Sequence, residues 1–162
     1  MTILGPSRTI SRTVLLGGLL AIGTCIAGSA FAGECPADKM KAGAREPVSA
    51  AAVGLVDTTL GSIDLSKEPA MIQDRELRFR KLTIEPGGMV PWHSHEDRPA
   101  LIYVAQGEIV EYASNCTVPI VHKTGDLRRE VHGTSHWWKN LGDTTVILFV
   151  ADVRHDKSDH HM

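Results

Sequence analysis

The sequence is short of aromatic residues (5%), short of cysteine (three) and carries no excess of either charge. Its 17 basic and 19 acidic side chains leave a formal charge of −2 with no basic stripe, which argues against a nucleic-acid partner. No glycine loop ends in Lys-Ser or Lys-Thr, so a phosphate cradle of the nucleotide-binding kind is absent. No amphipathic stretch longer than two turns appears, which excludes a helical bundle. The one long apolar run, from Val14 to about Ile26, is shorter than the roughly 20 residues of a membrane span. What remains is a chain of 162 residues, 43% hydrophobic and 22% charged, enough for one domain with its own core.

The apolar run has a more specific meaning. Arg8 and Arg12 precede it as the only charges, and Ala30-Phe31-Ala32 closes it with the small-x-small pattern of a peptidase site. Residues 1–32 therefore read as a signal peptide, cleaved after Ala32. The mature protein would be periplasmic or secreted, bacterial in type, with no membrane contact. Cleavage also removes Cys25, leaving Cys35 and Cys116 as an even pair that suggests a disulfide in an oxidising compartment.

Residues 33–53, rich in Ala, Gly, Pro and Lys without a period, read as an N-terminal arm. Short strand signals then follow one another: Leu55–Leu65, Glu76–Ile84, Ala100–Val104, Glu108–Ala113, Val118–His122, Leu127–Val131, His136–Leu141 and Thr144–Val153. Turn residues separate them, among them Pro86-Gly87-Gly88, Gln106-Gly107, Gly125-Asp126 and Gly142-Asp143. Leu77 and Phe79 fall on one parity and Leu82 and Ile84 on the other, a switch that predicts a bulge within the second strand. Arg78 and Arg80 then read as a solvated face. Many short strands imply an all-β sandwich or barrel over residues 54–153. Residues 154–162 form a His-rich tail, able to chelate a metal or simply mobile.

His93-Ser94-His95 places two imidazoles on one face of a strand, about 6.6–6.8 Å apart along the chain. Two rings so placed can lean onto one ion, and His136, which opens an apolar strand after a Gly-Thr-Ser turn, is the best third ligand. Trp138 shares the parity of His136 and is the pocket choice among the tryptophans. Glu96, His132 and Tyr112 are the candidates for acid–base work.

Gly87, His93, His95 and Gly107, followed by Gly125, Gly133, His136 and Asn140, have the order and spacing of two motifs. This pattern resembles the cupin family. The resemblance covers about residues 75–152 and implies a double-stranded β-helix, the jelly-roll barrel, with one divalent transition metal. It departs twice: Pro99 or Ala100 stands where the family carries a metal-binding Glu, and Val131 stands where it carries a Pro. The missing Glu implies a three-His centre, His93, His95 and His136, with Ala100 lining the pocket. Such a centre is one unit more positive and favours anionic ligands. Fe, Zn, Ni, Cu and Mn all remain open as the ion. The family likeness implies either a metal-dependent enzyme (dioxygenase, isomerase or lyase) acting on a small oxygenated anion, or a non-catalytic periplasmic binder of a metal or small ligand. It also implies a homodimer, since cupins associate through an exchanged strand edge. Asn140 and the glycines read as turn residues.

Overall fold

The computed structural model describes residues 33–155. The expected signal peptide, residues 1–32, and the tail after His155 lie outside the described residues. Eight strands follow the arm: β1 (Val53–Asp64), β2 (Glu76–Ser94), β3 (Ala100–Gln106), β4 (Glu108–Ala113), β5 (Ile120–Lys123), β6 (Leu127–Glu130), β7 (Ser135–Lys139) and β8 (Val146–Arg154). All pairings are antiparallel, and the sheet runs β5-β4-β7-β2-β8-β3-β6, with β1 added against β2. This curled sheet is the all-β architecture that the run of short strands implied. Among the described residues the only helical pieces are two short 3-10 turns, Ala37–Lys39 and Leu65–Lys67.

The longest strand organises the molecule. The first half of β2 pairs with β8 through Glu76–Ile84, and its second half pairs with β7 through Met89–Ser94. It changes partner at Pro86-Gly87-Gly88, where a separate turn was expected. Gly87 takes a φ of +74°, and a Cβ on Gly88 would meet Glu85 O at 2.7 Å and Gly54 O at 2.9 Å. Only glycine permits that bend and that close approach. Asn140 fixes the same corner, donating to Ile84 O and Thr144 O and accepting from Gly142 N.

The expected bulge in β2 is absent: its register with β8 is unbroken from Glu76 to Ile84. The even positions Arg78, Arg80, Leu82 and Ile84 all face inward, while Leu77 and Phe79 face out. The parity switch was read from hydrophobicity alone. Here two arginines occupy the interior because acids meet them there: Arg78 Nε and Nη2 donate to Asp152 at 3.0 and 2.6 Å, and Arg80 donates to Asp57. Arg78 and Arg80 are therefore buried and not a solvated face. A bulge does occur opposite, in β1 between Thr59 and Gly61.

The interior is divided along the barrel. One end is apolar and includes Leu82, Ile84, Val104, Ile109, Val146 and Leu148. Each such fully buried side chain contributes roughly 1.5–3 kcal/mol relative to exposure. The other end is polar and includes Arg78, Asp152, Arg128, Glu130, Glu111, His122, His95 and His136, all buried. Cys35 and Cys116 form a disulfide that ties the arm to the loop after β4.

Candidate metal centre

His93 near the end of β2 is the Cα partner of His136 on β7, and His95 follows just beyond β2, held by its own N–H on Thr134 O at 2.8 Å. The three Nε2 atoms converge: His93 to His95 is 3.1 Å, His95 to His136 is 3.1 Å, and His136 to His93 is 3.0 Å. Each Nδ1 faces an acceptor. His93 donates to Pro91 O at 2.9 Å, His95 to Arg98 O at 2.7 Å, and His136 to Glu111 Oε1 at 2.8 Å. A proton on every Nδ1 leaves a bare lone pair on every Nε2. With all three rings neutral, lone pairs so close repel one another unless a metal ion sits among them; without a metal, a proton on His136 Nε2 relieves the same repulsion. This is the arrangement in which second-layer hydrogen bonds orient ligating imidazoles, and it fits a metal ion.

The size of the triangle is informative. Bonds of about 2.1 Å at right angles place donor nitrogens about 3.0 Å apart, whereas tetrahedral angles place them about 3.4 Å apart. The observed spacing lies closer to the right-angled value.

The electrostatics are uneven around the three rings. Burial, with His136 nearby, pushes His93 well below the ordinary histidine value, and the same causes bring His95 down to about 4. His136 goes the other way. Burial opposes its charge, but Glu130 and Glu111 outweigh it and hold His136 at about 9. Glu111 is the hub. It accepts from His122 Nε2 at 2.8 Å and from His136, and Arg128 Nε lies 3.2 Å from its Oε2. Glu130 Oε1 lies 3.2 Å from His136 Nδ1 and takes a bond from Arg128 Nε at 2.9 Å. Glu111, Glu130, Arg128 and His122 were not singled out in the sequence. Strand alternation could have found them: Glu111 shares the parity of Ile109 and Ala113, and His122 shares that of Ile120.

The other expected site residues fall in different places. Trp138 is buried beside the centre, its indole nitrogen 3.1 Å from His136 Nδ1 and its ring stacked on His122. Ala100 is buried and faces inward, the Cα partner of Glu130 on one side and Asp152 on the other. Tyr112 is not brought to the imidazoles. It lies on the outward parity of β4, stacked on Trp137 at 4.1 Å, with the Arg45 guanidinium 5.2 Å from its ring. Glu96 and His132 are exposed and pair with each other across two loops, His132 Nδ1 donating to Glu96 O at 3.0 Å. Glu96 also accepts from Gly133 N at 3.2 Å. His155 meets Asp97, which also takes a bond from Arg75 at 2.6 Å.

A curled antiparallel sheet with two His-bearing strands side by side can be compared with known families. The Cupin_2 family, a cupin domain, matches residues 80–152. By this match, residues 80–152 are a cupin domain. Among curated proteins this cupin is 33% identical over 76 residues to the auxin-binding protein ABP19b of Prunus persica, covering 45% of the chain and 36% of that protein. The chain thus spans about a third of the length of that relative. Among solved structures it is similar to the Schizosaccharomyces pombe Cnp3 cupin domain, at 16% identity and a TM-score of 0.49, over 67% of this chain and 70% of that one. It is also similar to KdgF from Halomonas sp., at 18% identity and a TM-score of 0.49, over 64% and 82% of the two chains.

Proposed function

We propose that this cupin is an exported protein holding one divalent transition metal on His93, His95 and His136, and that the open face of the ion takes a small oxygen-bearing anion. The convergence of three Nε2 atoms within 3.1 Å, each ring fixed through its Nδ1, carries the reading. The spacing supports an ion that accepts right-angled ligands, such as Fe, Mn or Ni, over tetrahedral zinc. An anion is supported by the all-neutral ligand set and by Arg98. That residue is buried, gives its carbonyl to His95, and depresses both His93 and His95 by its charge.

When bound, the metal would supply a Lewis acid and a site where an oxygen ligand can be activated. The chain's own contribution is to orient the rings, exclude water with Trp138 and supply a positive field. The candidate bases do not reach the centre, since Tyr112 faces outward and Glu96 and His132 hold one another. This favours oxidation at the metal, or binding without turnover, over isomerisation or elimination.

Export is supported by the Cys35–Cys116 disulfide, which belongs in an oxidising compartment. A homodimer is supported by an outward apolar patch of Ile63, Leu77, Phe79, Leu101 and Tyr103, contiguous across β1, β2, β8 and β3. Light scattering on the mature protein tests the dimer. The metal reading is tested by elemental analysis of untagged protein purified without chelator, beside His95→Ala and His136→Ala. About one ion per wild-type chain and little in either variant is expected. Equal metal in all three would remove the site.

A further inference from the structure

The segment that follows the expected cleavage point is built into the polar end of the barrel. Gly33 is buried with a φ of +85°, and a Cβ on it would lie 2.6 Å from His122 Nδ1. Adding one carbon–carbon bond of about 1.5 Å places its Cα within about 4.1 Å of that nitrogen. The next two residues are anchored as well. Glu34 accepts from Arg128 Nη1 at 2.9 Å, and Cys35 is bonded to Cys116. Three consecutive residues thus hold the chain against the ring of His122.

That ring is short of a donor. His122 is fully buried and its Nε2 donates to Glu111, so its Nδ1 is an acceptor. Among the described residues nothing donates to His122 Nδ1, nor to the second buried acceptor nearby, Glu130 Oε2. Charge leans the same way whenever His136 is neutral. Glu34, Glu111 and Glu130 then bear on one buried guanidinium, that of Arg128, and the second arginine near Glu34, Arg129, is 4.0 Å away and largely exposed. A buried acceptor without a donor costs about 1–3 kcal/mol in general, so such a cluster selects for a cationic N–H group.

We infer that the α-ammonium group freed at Gly33 is that donor, seated in the barrel against His122 and holding the metal ligand His136 in place through the His122–Glu111–His136 chain. Hydrolysis of the Ala32–Gly33 bond adds one water, leaving a carboxylate on Ala32 and an ammonium on Gly33. The amide gives one neutral N–H, whereas the ammonium gives three charged ones. Removal of the leader then completes the second layer of the metal centre, and the free terminus is a positioning group. A glycine is required there because any side chain would strike the His122 ring. The inference rests on cleavage after Ala32, part of the export reading.

The test starts from the full precursor, exported and purified as the mature protein. Intact mass and N-terminal sequencing establish the first residue. A start other than Gly33 overturns the cleavage reading and the inference with it. With a Gly33 start, the amine is acetylated with limiting acetic anhydride in the native and the unfolded protein. At least about tenfold protection in the native state is expected; reaction at the unfolded rate overturns the inference and leaves export standing. A second arm inserts Ser before Gly33. The His122 Nδ1 nitrogen resonance should move, and metal affinity should fall by about tenfold or more, with the disulfide intact. Unchanged resonance and affinity overturn the inference. Should the inserted chain fail to fold, the acetylation result alone decides.

Discussion

Ala100 on β3 and Glu130 on β6 are Cα partners, so a methyl group and a carboxylate face the barrel interior side by side. Pro99 or Ala100 stands where the resemblance places a carboxylate ligand, and an acid on the neighbouring strand, Glu130, lies 3.2 Å from His136 Nδ1. On the proposed reading the negative charge sits behind His136 rather than on the ion. Ala100→Glu should reverse this. The variant is expected to keep its metal and to lose about tenfold or more in affinity for azide, equal to about 1.4 kcal/mol, because the new carboxylate takes the open face and lowers the charge of the centre. A spectrophotometric azide titration reads the change. Unaltered affinity would mean that residue 100 does not border the open face.

Glu111 joins two histidines and Arg128, and its charge matters separately from its shape. Glu111→Gln keeps the size and one oxygen but removes the anion, and about 10–100-fold weaker metal binding is expected. Glu111→Ala removes both, leaving Arg128 and two histidines facing a void. A stability loss of about 3–5 kcal/mol in chemical denaturation is expected for that variant. Competition against a chelator of known affinity measures the first effect.

The meeting of His93, His95 and His136 was legible because two of them share a strand face, the third opens another strand, and the glycine framework set their register. The strands were legible from turns and β-branched residues, with ends wrong by a few positions. The interior charges were not. Expecting a bulge between the two parities, with Arg78 and Arg80 on a solvated face, inverted the first residues of β2. Hydrophobicity cannot see that Asp152, 72 residues beyond Arg80 in sequence and more beyond Arg78, lies between them in space. The same blindness hid Glu111 and Glu130, whose partners come from β5, β6 and β7. A buried ion pair is visible only once both halves are folded together.

Asp152 offers a direct measure of that interior charge. Its carboxylate lies 2.6 Å from Arg78 Nη2 and 3.7 Å from Arg80 Nε, and the arginines hold its pKa below the ordinary value against the effect of burial. Asp152→Ala leaves two inward guanidinium groups on one strand with less negative charge between them. A loss of about 3–5 kcal/mol is expected. Replacing Asp152 and Arg78 together with Leu and Met should recover most of that loss, since an apolar pair of similar volume removes the uncompensated charge. Urea denaturation of the single and double variants reports both numbers. A single variant as stable as the parent would show that the pair contributes nothing net.

Metal and proton should compete for one position. In the metal-free protein His136 stays protonated up to about pH 9, while burial and the nearby His136 hold His95 down at about 4 and push His93 well below the ordinary histidine value. The His136 imidazolium can then donate from Nε2 toward His93 and His95, placing a proton where the ion would sit. Its folded pKa lies above the unfolded value of about 6.5, so its contribution to stability is complete below about pH 6.5 and is lost as pH rises through about 9. Metal-free protein should therefore become less stable between those values. Metal binding expels the proton, so affinity should rise about tenfold per pH unit below about 9 and level off above it. Calorimetric titration in two buffers of different ionisation enthalpy counts the protons released. One proton per ion at pH 7.5, falling toward zero at pH 10, is the expected result. Release of none at pH 7.5 would place His136 in the neutral form and remove the competition.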